Sequence, residues 1–207
     1  MPTLIIASRN THKAEEINTI LGNGFDVQSL AAFPDAPPVI EDGDSFAANA
    51  TKKACEIASW LESQALGQAR PDFVLADDSG LEVDALGGAP GIHSARFAAD
   101  DNEGNAADAD NNAKLLQELA DVPANKRGAQ FRCILALTAL GQANSTELFE
   151  GVCRGRISQM ETGEGGFGYD PLFIPDGYDN SFADLGPATK NTLSHRDKAL
   201  AKLAGFF

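Results

Sequence analysis

Thr3-Leu4-Ile5-Ile6-Ala7-Ser8-Arg9-Asn10-Thr11-His12-Lys13 is the stretch that decides the class of fold. Its apolar run, Thr3 to Ala7, is short and continuous, the pattern of a strand buried on both faces. A polar turn from Ser8 to Lys13 follows at once. Ala14, Ile17, Ile20 and Leu21 then recur at helical spacing until Gly22-Asn23-Gly24 stops the helix. Strand, polar loop and helix in this order make an α/β unit. In such units ligands bind at the carboxyl ends of strands, and helix N-termini offer unpaired backbone N–H groups to anions. Ser8 and Asn10 can hydrogen-bond a phosphate there, and Lys13 adds positive charge. The same residues read equally well as an N-cap with a solvated lysine.

Outward from this unit, residues 25–30 read as a second strand and 34–38, rich in proline, as extended loop. Residues 45–66 are helical in pattern, with Phe46, Ala50, Ala54, Ile57, Ala58 and Leu61 on one face. Residues 72–76 form another buried strand, expected to end abruptly at Asp77-Asp78-Ser79-Gly80. The segment 81–86 is a strand or a turn, and Gly87-Gly88-Ala89-Pro90-Gly91 excludes regular structure. An acidic, asparagine-rich loop at 98–112 leads into a helix at about 111–120. Residues 130–140 and 146–157 alternate as two long strands, most simply a hairpin around 141–145. A glycine-rich loop at 163–170, a short strand at 172–174 and a helix at 193–204 complete the chain. The expectation is a single α/β domain over residues 1–207 with a mixed sheet.

Bulk properties narrow the function. A chain of 207 residues, 43% hydrophobic and 22% charged, is an ordinary globular protein with room for one sizeable core. No run of about 18 apolar residues suggests a membrane span, and the N-terminus lacks a basic, apolar leader. Cys55, Cys133 and Cys153 are an odd number without metal-ligand spacing, so they are expected to be reduced thiols of a cytoplasmic protein. Thirty acidic residues against sixteen basic ones leave a net charge of −14, which repels a polyphosphate backbone and argues against a nucleic-acid partner. A small phosphorylated ligand is still compatible, given local lysines or a bridging divalent cation.

Four polar clusters ask for chemistry. The first is the turn at 8–13. The second is Asp77-Asp78-Ser79-Gly80: two adjacent carboxylates repel each other, and a divalent metal with a taste for hard oxygen ligands, Mg²⁺ or Mn²⁺, would relieve that repulsion. The alternative is an Asx turn that ends the strand. Glu41-Asp42-Gly43 is a second acidic turn that either adds a ligand or opens the next helix. The third is Gly165-Gly166-Phe167-Gly168-Tyr169-Asp170-Pro171, where glycines permit close backbone approach and the two aromatics could stack on a base. The fourth gathers donors: Lys190 with Ser194-His195-Arg196, in which His195 also reads as a capping or surface histidine.

In this order the clusters resemble the inosine triphosphate pyrophosphatase family, the dITP/XTP or non-standard purine NTP pyrophosphatases. The likeness runs nearly the whole chain and includes Ser8-x-Asn10-x-x-Lys13, Glu41-x-Gly43, Ser45-Phe46, Asn49-Ala50 with Lys53, Ala76 to Leu81, Leu86 to Gly91, Ser94-Ala95-Arg96, Gly165 to Pro171 and Ser194-His195-Arg196. The resemblance implies an elongated mixed α/β fold with flanking helices, two lobes around a central active-site cleft, and a homodimer. It implies Mg²⁺-dependent hydrolysis of ITP, dITP and XTP to the monophosphate and pyrophosphate, which cleanses the nucleotide pool. By matching positions, Ser8, Arg9, Asn10, Thr11, His12, Lys13 and Lys53 hold the triphosphate. Glu41 and Asp78 organise the metal, Asp78 also activates water, and Ser79 contacts substrate. Phe167, Gly168, Tyr169, Asp170, Lys190, His195 and Arg196 form the base and sugar pocket. Two positions depart from the family pattern: Arg9 stands where many members carry glycine, and Ala48 where many carry glutamate.

Overall fold

The computed structural model describes residues 1–64, 71–99, 104–142 and 145–207. Strand β1 (Thr3–Ile6) leads through the polar turn into α1 (Thr11–Leu21). The second strand, β2 (Asp26–Ser29), lies parallel to β1 with Thr3 opposite Asp26. On the other side of β1, β3 (Phe73–Val83) is also parallel, with Leu4 opposite Phe73. Parallel neighbours need long crossovers, and α1 and α2 (Phe46–Ser63) supply them. The buried face of α2 carries Phe46, Asn49, Ala50, Ala54, Ile57, Ala58 and Leu61, and the Ser45 side chain caps its start by accepting from the Ala48 N–H. The last residues expected in this helix, 65 and 66, lie outside the described ones.

The sheet continues through β4 (Gly128–Ala139) and β5 (Thr146–Ile157) to β6 (Phe173–Pro175), in the order β2-β1-β3-β4-β5-β6. β6 is antiparallel to β5, with Gly155 opposite Pro175. The β4–β5 connection is too short for a parallel crossover, as the hairpin reading requires; its residues 143 and 144 lie outside the described ones. The result is a mixed α/β fold, a six-stranded sheet flanked by helices.

Three features differ from expectation. β3 does not stop at Asp77; it runs through Asp77-Asp78-Ser79-Gly80 to Val83. A polar quartet reads as a break because buried carboxylates are costly, but both aspartates have cationic neighbours that offset that cost. α3 spans Asp108–Glu118, starting within the stretch expected to be loop, of which residues 100–103 lie outside the described ones. Finally, α4 (Phe182–Lys190) precedes the last helix, α5 (His195–Ala204). Gly186-Pro187 inside α4 conceals it from a periodicity reading, since the chain leaves helical geometry at Gly186.

The chain divides into two compact units, and β3, β4 and β5 pass through both. The first comprises Met1–Asp78, Cys133–Glu150 and Lys198–Phe207; Leu4, Ile6, Ile17, Leu75, Leu135 and Leu203 lie in its core. The second comprises Ser79–Arg132 and Gly151–Asp197, with Leu81, Leu115, Phe131, Leu172, Phe173 and Phe182 in its core. Among the described residues, no helix is long and apolar enough to cross a membrane.

Candidate active site

In the first unit the acidic and basic residues singled out from sequence converge. Successive side chains of a strand point to opposite faces, so Asp77 and Asp78 diverge. Asp77, fully buried, accepts from the Lys13 ammonium at 2.7 Å through Oδ1 and from the Cys133 thiol at 3.3 Å through Oδ2. Asp78 instead faces Lys53, whose Nζ is 3.9 Å from Asp78 Oδ1, 2.7 Å from Glu41 Oε1 and 2.9 Å from the Asp77 carbonyl oxygen. The repulsion of the adjacent carboxylates, which the sequence alone suggests a metal would relieve, is met here by a lysine beside each. Glu41 and Asp78 both lie against the Lys53 ammonium.

Two local devices hold this arrangement. The Asn10 side chain accepts from the Lys13 N–H at 3.2 Å, and Ser8 Oγ accepts from the Asn10 N–H at 3.1 Å. Both oxygens thus serve the start of α1, which is the cap reading of the turn. Thr11 and His12 are exposed on the first turn, and Arg9 reaches the Ala36 carbonyl at 2.5 Å. Asn49 Oδ1 accepts from the Gly43 N–H at 2.8 Å, fastening the Glu41 turn to α2. A Cβ at Gly43 would stand 2.7 Å from that same oxygen and 2.9 Å from the Ala48 Cβ, so only glycine fits the approach. Sequence reading placed Asn49 in a motif without assigning it this role.

The donor set suits a hard divalent cation. Asp78 Oδ2 is buried and has no hydrogen-bond partner among the described residues, although a buried carboxylate oxygen is ordinarily satisfied. Among the described residues no group of three or more His, Cys, Asp and Glu is arranged to hold a metal. Mg²⁺ does not require one, because it is commonly held by one or two carboxylates together with substrate phosphates.

Burial pushes Asp78 up to about 6; Lys53 and Lys13 pull the other way, and Glu41 and Asp77 reinforce the rise. The folded chain therefore holds this proton more tightly than the unfolded chain, whose aspartate titrates near 4. The stability that the group contributes is present below about pH 4 and is lost as pH rises from 4 to 6. Ionised Asp78 then weighs against folding by about 2–3 kcal/mol at neutral pH. Asp78→Asn in chelator-treated protein should accordingly raise the melting temperature at pH 7.5 by about 5 °C and leave it unchanged at pH 4. Equal melting curves at pH 7.5 would show that the carboxylate is not under strain.

The second unit holds the other set. Asp170 Oδ2 accepts from the Lys190 ammonium at 2.7 Å and from the Phe167 N–H at 3.0 Å, with both charged side chains almost wholly buried. Lys190 Nζ also stands 4.2 Å from the centre of the half-buried Phe167 ring. Gly166, at φ 81°, is required here, because a Cβ would run into the Asp170 carboxylate. α3 braces the loop from its other side: Asp108 Oδ2 accepts from the Gly168 N–H at 2.6 Å, and Asn112 Nδ2 donates to the Gly168 carbonyl at 3.2 Å. Asp108 and Asn112 escaped the sequence reading because they sit in the segment read as acidic loop.

Two expectations for this loop and helix change. Tyr169 is buried, its hydroxyl donating to the Ser94 carbonyl at 2.8 Å and its ring packed in the core, so of the two aromatics only Phe167 remains as a stacking surface. His195 is neither the cap nor a surface residue. Ser194 Oγ accepts from the Asp197 N–H at 3.1 Å, and the buried imidazole stacks on Phe131 with ring centres 4.8 Å apart. Arg196 is buried beside it in sequence, and Ser79 is half-buried in β3.

The chain is similar to known proteins over nearly its whole length. A profile of the Ham1 family matches residues 4–206. The dITP/XTP pyrophosphatase of Geobacillus kaustophilus is 46% identical over 204 residues, covering 98% of this chain and 93% of the relative. That of Pseudomonas syringae pv. tomato is 47% identical over 200 residues, with 97% and 94% covered. Among solved structures, a HAM1 protein from Coxiella burnetii superposes with a TM-score of 0.82 at 33% identity, covering 100% of this chain and 98% of the other. The Staphylococcus aureus Ham1 protein gives 0.80 at 35% identity, with 99% and 97% covered.

Proposed function

The chain belongs to the Ham1 family, and from that premise we propose that it hydrolyses ITP, dITP and XTP to the monophosphate and pyrophosphate, removing deaminated purine nucleotides before they enter DNA or RNA. It is an enzyme, a nucleoside-triphosphate pyrophosphatase. The observation that carries the proposal is the buried, unpartnered Asp78 Oδ2 beside Lys53 and Glu41. Hydrolysis between the α- and β-phosphates is slow because charge develops on an already anionic group, so catalysis is mainly positioning and charge neutralisation. Lys13, Lys53 and the Ser8–His12 turn hold the triphosphate, and Ser79 contacts it. Bound Mg²⁺, with Mn²⁺ as a substitute, supplies positive charge that offsets what develops on the phosphate oxygens; Glu41 and Asp78 hold it. Asp78, raised by burial toward the pH at which the enzyme works, orients the attacking water and takes its proton.

Phe167, Gly168, Tyr169, Asp170, Lys190, His195 and Arg196 build the pocket for base and sugar. Hypoxanthine and xanthine present a carbonyl acceptor at C6, whereas adenine presents an amine donor. Lys190 sets a donor beside the stacking face of Phe167, and a site built around such donors rejects adenine because they would go unpaired. The protein works as a cytoplasmic homodimer of single-domain chains, without nucleic-acid or membrane partners; its charge of −14 favours small anions held by local lysines over extended ones.

Incubation with Mg²⁺ and, separately, ITP, dITP, XTP, ATP and GTP, followed by ion-exchange chromatography, tests the proposal. Monophosphate and pyrophosphate are expected from the first three alone. Diphosphate and orthophosphate would place the attack at the γ-phosphate and overturn it, as would turnover only with a second, acceptor substrate.

A further inference from the structure

Asp77 makes contacts that neither metal binding nor water activation uses. Its Oδ1 accepts from Lys13 Nζ at 2.7 Å, its Oδ2 from the Cys133 thiol at 3.3 Å, and its backbone carbonyl from Lys53 Nζ at 2.9 Å. One residue of β3 thus touches both lysines assigned to the triphosphate, the first through its side chain and the second through its backbone. The side chain is completely shielded from solvent, whereas that of Lys13 retains 18% of its exposure. A carboxylate so buried is stable as the anion only against a close cation, so the contact defines where the ammonium sits. The Cys133 thiol, itself buried on β4, occupies the second oxygen and limits rotation of the carboxylate about its last torsion.

Lys13 alone is poorly determined by its helix. Its backbone N–H is engaged by the Asn10 cap, which places the Cα, but a four-carbon stem carries large rotamer freedom. We propose that Asp77 is the positioning residue of the phosphate site: its carboxylate holds the Lys13 ammonium in place for the triphosphate, while its carbonyl oxygen holds Lys53. The proposal rests on Lys13 being a phosphate ligand, as set out above. A lysine ammonium carries three donors, so contact with a carboxylate and contact with a phosphate are compatible.

The two arms make the proposal separable by mutation, because a side-chain change at 77 reaches Lys13 and spares the backbone contact to Lys53. Asp77→Asn keeps the shape and removes the charge. With ITP and saturating Mg²⁺ it should lower kcat/KM by about 10- to 100-fold, since misplacement of a binding group by about 1 Å suffices for such a loss. Asp77→Glu should recover part of it, and Cys133→Ala should cause a smaller loss in the same direction. The deciding measurement is a pair of double-mutant cycles in kcat/KM, at a temperature where all variants are folded by circular dichroism. Asp77→Asn added to Lys13→Met should cost nothing further, because the residue acts through a lysine already gone. Added to Lys53→Met it should cost its full single-mutant factor. Additivity with Lys13→Met would overturn the positioning role, whereas near-native activity of Lys13→Met by itself would instead remove Lys13 from the phosphate site. Should Asp77→Asn fail to fold, the same cycles run with Cys133→Ala decide the matter by the same criteria.

Discussion

Asp78→Asn is expected to lower kcat for ITP by about 10³-fold, on the order of the loss seen when a preorganised charge at a reacting centre is removed. Asparagine matches the shape of aspartate, so packing on β3 is preserved and the loss belongs to the charge. On the proposed mechanism the amide would neither help Glu41 hold a cation nor accept a proton from water. The same substitution removes the buried carboxylate whose ionisation opposes folding, so the inactive variant should be at least as stable as the parent at neutral pH. Loss of activity with gain of stability separates a functional role from simple unfolding. Steady-state kinetics beside thermal melts test it, and near-native turnover would remove Asp78 from the chemistry.

Asp170→Ala is the change expected to damage the fold most. Lys190 would keep its charge in a site where only 5% of its side chain is exposed, and the Phe167 N–H would lose its acceptor. Breaking a buried ion pair from one side costs about 3–5 kcal/mol, which at this chain length lowers the melting temperature by about 10 °C. Asp170→Asn combined with Lys190→Met should recover much of that, because no uncompensated charge stays behind. The double variant should nevertheless discriminate ITP from ATP less well than the parent, having lost the Lys190 donor. Differential scanning calorimetry and the ratio of kcat/KM for the two nucleotides test the two halves. A fall of under 2 °C for the single variant would show that water or another group replaces the lost carboxylate.

Much of this molecule is legible in one dimension. Thr3 to Lys13 reads as strand, turn and helix because the apolar run and the 3.6-residue repeat of Ala14, Ile17 and Leu21 are local signals, and β1 and α1 follow them. The long alternation at 146–157 likewise becomes β5. Local signals fail where a residue's environment comes from elsewhere in the chain. Asp77-Asp78 look like the end of a strand when read alone, yet β3 continues because Lys13, 64 residues earlier, and Lys53 neutralise the pair. α4 escaped notice for the opposite reason: its local pattern is broken at Gly186-Pro187, and the Ser181 cap with Phe182 in the core sustains it.

By itself the sequence determined the α/β class, the order of most strands and helices, the clusters that ask for phosphate chemistry and the family likeness, all carried by periodicity, turn chemistry and motif order. Only the tertiary structure decided which way each polar side chain faces. On a strand, neighbouring residues turn to opposite faces, so Asp77 joins Lys13 and Cys133 while Asp78 joins Lys53 and Glu41. In the glycine-rich loop, Tyr169 enters the core and Phe167 stays half-buried, because the Ser94 carbonyl satisfies the tyrosine hydroxyl from 75 residues away. Residue types announce the chemistry a chain can perform; burial and distant partners assign each of them its part.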